Sequence, residues 1–148
     1  MSHASARERI LSTARALGFQ RAGVAGAVLP AEVDARFADW IGFGRHGCLD
    51  YLQRRTERQT TLQDLLPGTR SVVALITCYG PPTEEAEEAE DDGGRISCYA
   101  RRRDYHRVIR KRLRALTRVI EDECDGRARG FVDTGPLSER AYAVQAGL

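Results

Sequence analysis

Tyr105, Val108, Ile109, Leu113, Leu116 and Ile120 recur at helical spacing, while Arg107, Lys111, Arg114 and Arg118 recur at steps of four, three and four. Steps of three and four residues stack side chains on one face of a helix. The stretch therefore predicts an amphipathic helix, with Asp104 placed to cap its start. One face needs a partner to bury against, and the other shows a continuous basic ridge to solvent. With 148 residues, 42% of them hydrophobic, the chain has enough material for one domain, since a chain of this size buries roughly two thirds of its unfolded surface.

The remaining pattern alternates helix and strand. Ser5-Ala6-Arg7-Glu8 has the form of a capping box, followed by Ile10, Leu11, Ala14 and Leu17 at helical spacing and by Gly18 as a stop. Phe19 to Ala25 reads as a short strand. Pro30 opens a second helix with Val33, Phe37, Trp40 and Ile41 on its apolar face, which Gly42, Gly44 and Gly47 break into a loop around His46. A helical piece near Asp50 to Arg58 leads to a turn at Leu65-Leu66-Pro67-Gly68. The β-branched run at Val72 is apolar on both faces, which predicts a central strand. Residues 81–94 are rich in Pro, Glu and Gly without periodicity and read as an exposed loop. Ile96 to Ala100 and Phe131-Val132-Asp133 are expected as strands, and Ser138 to Leu148 as a helix that the chain cuts off. The whole implies an α+β fold, an α/β sandwich.

The longest apolar run, Ser71 to Tyr79, is far short of the ~20 residues that span a bilayer, and the start of the chain is too polar for a signal peptide. A cytoplasmic protein with no membrane partner is expected, and a monomer. Cys48, Cys78, Cys98 and Cys124 are scattered, without the close pairs that zinc or iron–sulfur ligation needs, and read as buried thiols. Gly23-Val24-Ala25-Gly26 and Gly42-Phe43-Gly44 fail the phosphate-loop patterns in spacing.

Net charge is only +2, yet Glu84 to Asp92 holds seven acids in nine residues and Arg101 to Arg118 holds nine basic residues against one acid. Lys111 is the one lysine; the other basic residues are arginines, whose planar fork matches phosphate oxygens. Such a field attracts a phosphate backbone, or is balanced within the chain by the acidic tract. Two carboxylates stand out. Asp133, at an expected strand end beside Gly135, would be a general acid near neutral pH if partly desolvated; alternatively it accepts backbone N–H bonds from the turn that follows. Asp104 is by default a helix cap, and His106 lies in the first helical turn, where an imidazole can meet a substrate.

Several ordered pieces resemble the epoxyqueuosine reductase family: Leu17-Gly18-Phe19 with Gly23-Val24, His46-Gly47 with Tyr51-Leu52, Leu65 through Val72, Tyr99-Ala100 with Asp104-Tyr105-His106, and Val132 through Arg140 with Ala146-Gly147-Leu148. The resemblance implies a nitroreductase-like cobalamin-binding core, a mixed sheet flanked by helices, truncated here to a single amino-terminal domain over 1–148. It implies a partner, tRNA with a queuosine-family anticodon, whose epoxyqueuosine is reduced to queuosine. It implies cobalamin as cofactor, with electrons from 4Fe-4S clusters in a ferredoxin-type domain expected downstream. Asp133 matches the acid that protonates the departing oxygen and also borders the corrin. Ser97 and Tyr99 match positions at the corrin, Arg58 stands beside the place of a cobalamin-contacting arginine, and Asp104, His106 and Arg140 match the substrate side. This chain alone would be inactive. The alternative is a non-catalytic RNA- or protein-binding module that uses the Arg101–Arg118 ridge.

Overall fold

A computed structural model describes residues 3–58, 61–79, 97–101, 104–133 and 135–148. In chain order the elements are α1 (His3–Ala16), β1 (Arg21–Gly26), α2 (Ala31–Gly42), α3 (Asp50–Arg58), α4 (Leu62–Leu65), β2 (Ser71–Ile76), a 3-10 turn (Cys98–Arg101), α5 (Tyr105–Cys124) and α6 (Glu139–Gln145). The fold is α+β. Among the described residues the sheet has two strands, β1 beside β2. Gln20 N–H donates to the Ile76 carbonyl at 2.9 Å and Ala27 N–H to the Arg70 carbonyl at 3.1 Å, so the pairing is antiparallel.

The chain divides into two compact units. The first joins Met1–Arg21 to Ile76–Val132, the second Ala22–Leu75 to Asp133–Leu148.

In the first unit the amphipathic faces of α1 and α5 find each other. Ile10, Leu11 and Ala14 of α1, Phe19 just beyond it, Leu116 of α5 and Val132 are buried, Leu116 with 1% of its surface exposed. Arg9 Nε donates to Glu123 Oε1 at 2.6 Å, and a second guanidinium nitrogen of Arg9 meets the other carboxylate oxygen, a two-pronged pair across the helices. Arg112 closes the far end of α1. Its guanidinium lies 5.9 Å from the Phe19 ring centroid and donates to the Gly18 carbonyl at 3.1 Å. Gly18 has φ +88°, and a Cβ there would stand 3.2 Å from that guanidinium, so a glycine is needed both for the turn and for the cap.

The second unit is built from smaller parts. Ala25 and Ala74 of the strands and Tyr142 of α6 are its buried apolar residues, and α2 has none. The Tyr142 hydroxyl donates to the Ala27 carbonyl at 2.9 Å and Gln145 Nε2 to the Val28 carbonyl at 2.9 Å. Gly23 lets the end of α6 come close: a Cβ there would fall 2.6 Å from the Ala146 carbonyl oxygen and 2.9 Å from the Ala146 Cβ. Thr61 and Asp64 form a capping box on α4.

Several sequence expectations are corrected. Helix α1 runs from His3, and Ser5 accepts from the Arg9 guanidinium inside the helix instead of capping it. The run at Val72 is not a fully buried strand, because β2 has one paired neighbour among the described residues and only Ala74 is buried. Cys98–Arg101 forms a 3-10 turn, not a strand; Ile96 and the acidic tract at 84–92 lie outside the described residues. Phe131 to Asp133 is a bend, since Asp133 has φ +53°, which no strand accepts. Val108, assigned to the apolar face of α5, is 48% exposed, because the covered stripe follows the half-buried Tyr105, Ile109 and Leu113 and the buried Leu116 and leaves Val108 at its margin. Cys48, Cys78 and Cys124 are exposed free thiols, not buried ones. Helix α6 ends within the chain at Gln145, followed by Gly147 with φ +78°.

Candidate active site

In the first unit the candidate residues gather where α5 begins. Asp104 caps the helix: its Oδ1 accepts from His106 N–H at 2.9 Å, the second helical N–H, which has no partner inside the helix. The same oxygen lies 2.8 Å from His106 Nδ1. A carboxylate can only accept, so the imidazole carries its proton on Nδ1. The Asp104 carboxyl is held below its ordinary value, first by the hydrogen bond from the His106 ring, then by the His106 backbone N–H, with the positive charge of Arg110 adding. The cap thus fixes both the tautomer and the direction of the ring.

Aromatic rings extend from this pair. The His106 ring stacks on Tyr105 at 4.2 Å between centroids, Tyr105 meets Tyr99 edge-on at 6.0 Å, and Tyr99 meets Tyr79 at 6.2 Å. Tyr79 is 56% exposed and Tyr99 49%, and Ser97 beside them is exposed. Three residues singled out from sequence, Tyr99, Asp104 and His106, therefore share one string. Tyr79 and Tyr105 belong to it and were missed as site residues. Their positions in the chain give no periodic signal, because the string crosses three segments.

In the second unit Asp133 opens the segment that leads to α6. It is exposed, so the expected desolvation of its carboxyl is not met: Asp133 sits on an exposed bend where a half-buried strand end was anticipated. Its backbone is distinctive. Asp125 and Asp133 are the two non-glycine residues with positive φ among the described residues, at +46° and +53°. Asp125 ends α5, where a left-handed residue is the ordinary way to stop a helix. Asp133 terminates no helix. A left-handed residue with a Cβ costs about 1–2 kcal/mol, less where a short Asp side chain bonds locally, and such residues cluster at functional positions. Arg140 is exposed in the first turn of α6. Arg58 ends α3, and its side chain lies outside what is described.

The chemistry of these groups can be matched to cofactors. Tyr79 and Tyr99 offer part-exposed rings, and Ser97 an exposed hydroxyl, to a ligand with both apolar and hydrogen-bonding edges. For an iron–sulfur cluster the fit fails: the free cysteines are isolated, and no group of three His, Cys, Asp or Glu among the described residues could hold a metal ion. Among the described residues no helix is long and apolar enough to cross a membrane.

Comparison with known proteins gives the class first. A family model described as "Epoxyqueuosine reductase QueG, DUF1730" matches residues 59–134, just over half of the chain. The chain belongs to the epoxyqueuosine reductase family. It is similar to the epoxyqueuosine reductase of Gloeobacter violaceus, 42% identical over 142 residues that cover 95% of this chain and 43% of the relative. The Xanthomonas campestris protein of that name is 37% identical over 147 residues, 97% of this chain and 41% of the relative. That of Pseudomonas aeruginosa is 37% identical over 137 residues, 90% and 38%. The chain thus spans about two fifths of the length of these curated relatives. No solved structure matches it. The structure also explains two of the resembling pieces: Gly23 and Ala146, far apart in sequence, belong to one close approach.

Proposed function

We propose that this chain is the amino-terminal, corrin-facing domain of an epoxyqueuosine reductase, which acts on epoxyqueuosine in tRNA and is inactive without the remaining length seen in its relatives. Family membership over nearly the whole chain supports this reading. The observation that carries the site is the left-handed backbone of Asp133, at φ +53° within the segment that leads to α6. Asp133 is the acid: opening an epoxide to an alkene releases oxygen, which departs as water only when protonated, and a positioned carboxyl supplies protons. By the family resemblance Ser97 and Tyr99 of the first unit would face cobalamin, the core being nitroreductase-like, and Arg58 of the second unit is a separate candidate for a cobalamin contact. Bound cobalamin would supply the reducing equivalents, passed on from 4Fe-4S clusters held elsewhere. Asp104 and His106 orient the modified base through the fixed imidazole, and Arg140 contributes a planar donor fork toward the tRNA. The setting is the cytoplasm and the protein acts as a monomer.

The test is turnover of epoxyqueuosine-containing tRNA by a protein that carries this chain together with the rest of its relatives' length. Asp133→Asn is the decisive variant, because asparagine tolerates the left-handed region as aspartate does and replaces the ionisable carboxyl by an amide of nearly the same shape. Reduction should fall by roughly 10²–10⁴-fold with tRNA binding kept. Turnover at the parental rate would reject the assignment.

A further inference from the structure

We propose that the exposed ridge of α5, with the groove beside its first three turns, is the surface on which this chain holds an RNA strand. The choice of RNA rests on the reading above; the surface rests on the residues. Arg107, Lys111, Arg114 and Arg118 are all exposed, and among the described residues none of the four has an acidic partner. Of the three acids at the other end of α5, Glu123 holds Arg9 and Glu121 accepts the Ala128 N–H at 3.1 Å, while the exposed Asp122, one turn past Arg118, forms no ion pair with it. Like charges three and four residues apart on one helix destabilise it. A row of four with nothing between them is therefore a cost to the free chain, and a polyanion relieves it.

The geometry favours a strand of nucleic acid. From Arg107 to Arg118 the ridge is roughly 16 Å long at 1.5 Å per residue, long enough to meet several successive phosphates of one strand. Beside it lies an open groove of about 620 Å³, lined by Leu17, Val108 and Ala115 together with Arg107 and Lys111. Arg112 lines it as well, its guanidinium already donating to the Gly18 carbonyl. Apolar side chains beside cationic ones suit a base or ribose whose phosphates lie on the ridge. The exposure of Val108, an apolar residue on an otherwise charged margin, fits such a seat.

The test measures binding of an unmodified tRNA anticodon stem-loop to the 148-residue chain by fluorescence anisotropy over a range of salt. The ridge variant combines Arg107→Gln, Lys111→Gln, Arg114→Gln and Arg118→Gln; a control combines Arg36→Gln with Arg54→Gln, exposed cations off the ridge. Circular dichroism checks that α5 stays helical. The ridge variant should lose about tenfold or more in affinity, and its slope of log affinity against log salt should shrink by roughly 3, while the control changes little. Val108→Asn should weaken binding several-fold without altering the slope. Binding and slope unchanged in the ridge variant, an equal loss in the control pair, or no binding by the parental chain would each overturn the inference. None of these touches the family reading, which stands or falls on turnover of the Asp133→Asn protein.

Discussion

The first unit is held by two long helices, α1 and the 20-residue α5, that bury bulky side chains between them; the second is held by close approaches of small residues and by two hydrogen bonds from α6. Ile10, Leu11, Phe19, Leu116 and Val132 are buried in the one, against Ala25, Ala74 and Tyr142 in the other. The second unit also leaves large apolar side chains outside: Val28 is 81% exposed, Val144 74% and Phe43 73%. Burial of apolar surface is the main source of stability. Sensitivity to truncation should therefore lie in the first unit, and sensitivity to added bulk in the second, where Asp133 is held.

The largest effect should follow Leu116→Ala. Removing a buried leucine side chain costs about 2–5 kcal/mol, read from urea unfolding of the chain. Gly23→Ala comes next, at about 1–3 kcal/mol, because the added methyl would meet the Ala146 carbonyl. If Gly23→Ala were harmless while truncation at Ala25 or Ala74 was severe, the contrast between the units would break. Tyr142→Phe should cost about 1 kcal/mol through the lost bond to Ala27. It also sharpens the contrast through pH. Burial, and then the charge of Asp34, raise the Tyr142 phenol above its ordinary 10.0. Its share of stability is complete below that value and declines as pH rises through the folded one. An alkaline titration of unfolding should show this decline in the parental chain and not in Tyr142→Phe.

The smallest effect concerns the start of α5. The Asp104 carboxyl lies below its ordinary 3.8, so its contribution is present above that pH and lost as pH falls through the folded value. The amide exchange of His106 should quicken in that acid range, and in Asp104→Ala it should be quick throughout. A cap that stayed protected in acid would mean that the carboxylate does not hold the turn.

The helices were legible because their reasons are local. The face of α5 follows from residues within twenty positions of one another, and Asp104 caps it through the N–H two residues on. The misread strands had the opposite origin. Cys98–Arg101 and Phe131–Asp133 have strand-like composition, yet the first is coiled beside Tyr79 and Tyr105 and the second bends at a left-handed aspartate. Both depend on contacts or dihedral angles that composition does not encode. The same holds within the site. Asp104 and His106 were recognisable as neighbours, whereas the tyrosine string that continues from them joins residues from three segments, and the exposure of Asp133 depends on a turn that its apolar neighbours Phe131 and Val132 disguised.

The account turns on Asp133 keeping its left-handed backbone for chemistry and not for the fold. Asp133→Gly measures this most directly, with thermal unfolding and tRNA reduction followed on the same protein carrying the full length of its relatives. Glycine adopts positive φ without strain, so stability should be unchanged or slightly raised while reduction falls by roughly 10²–10⁴-fold. A variant that unfolds more easily and yet reduces epoxyqueuosine at the parental rate would show that the residue serves the turn and nothing else.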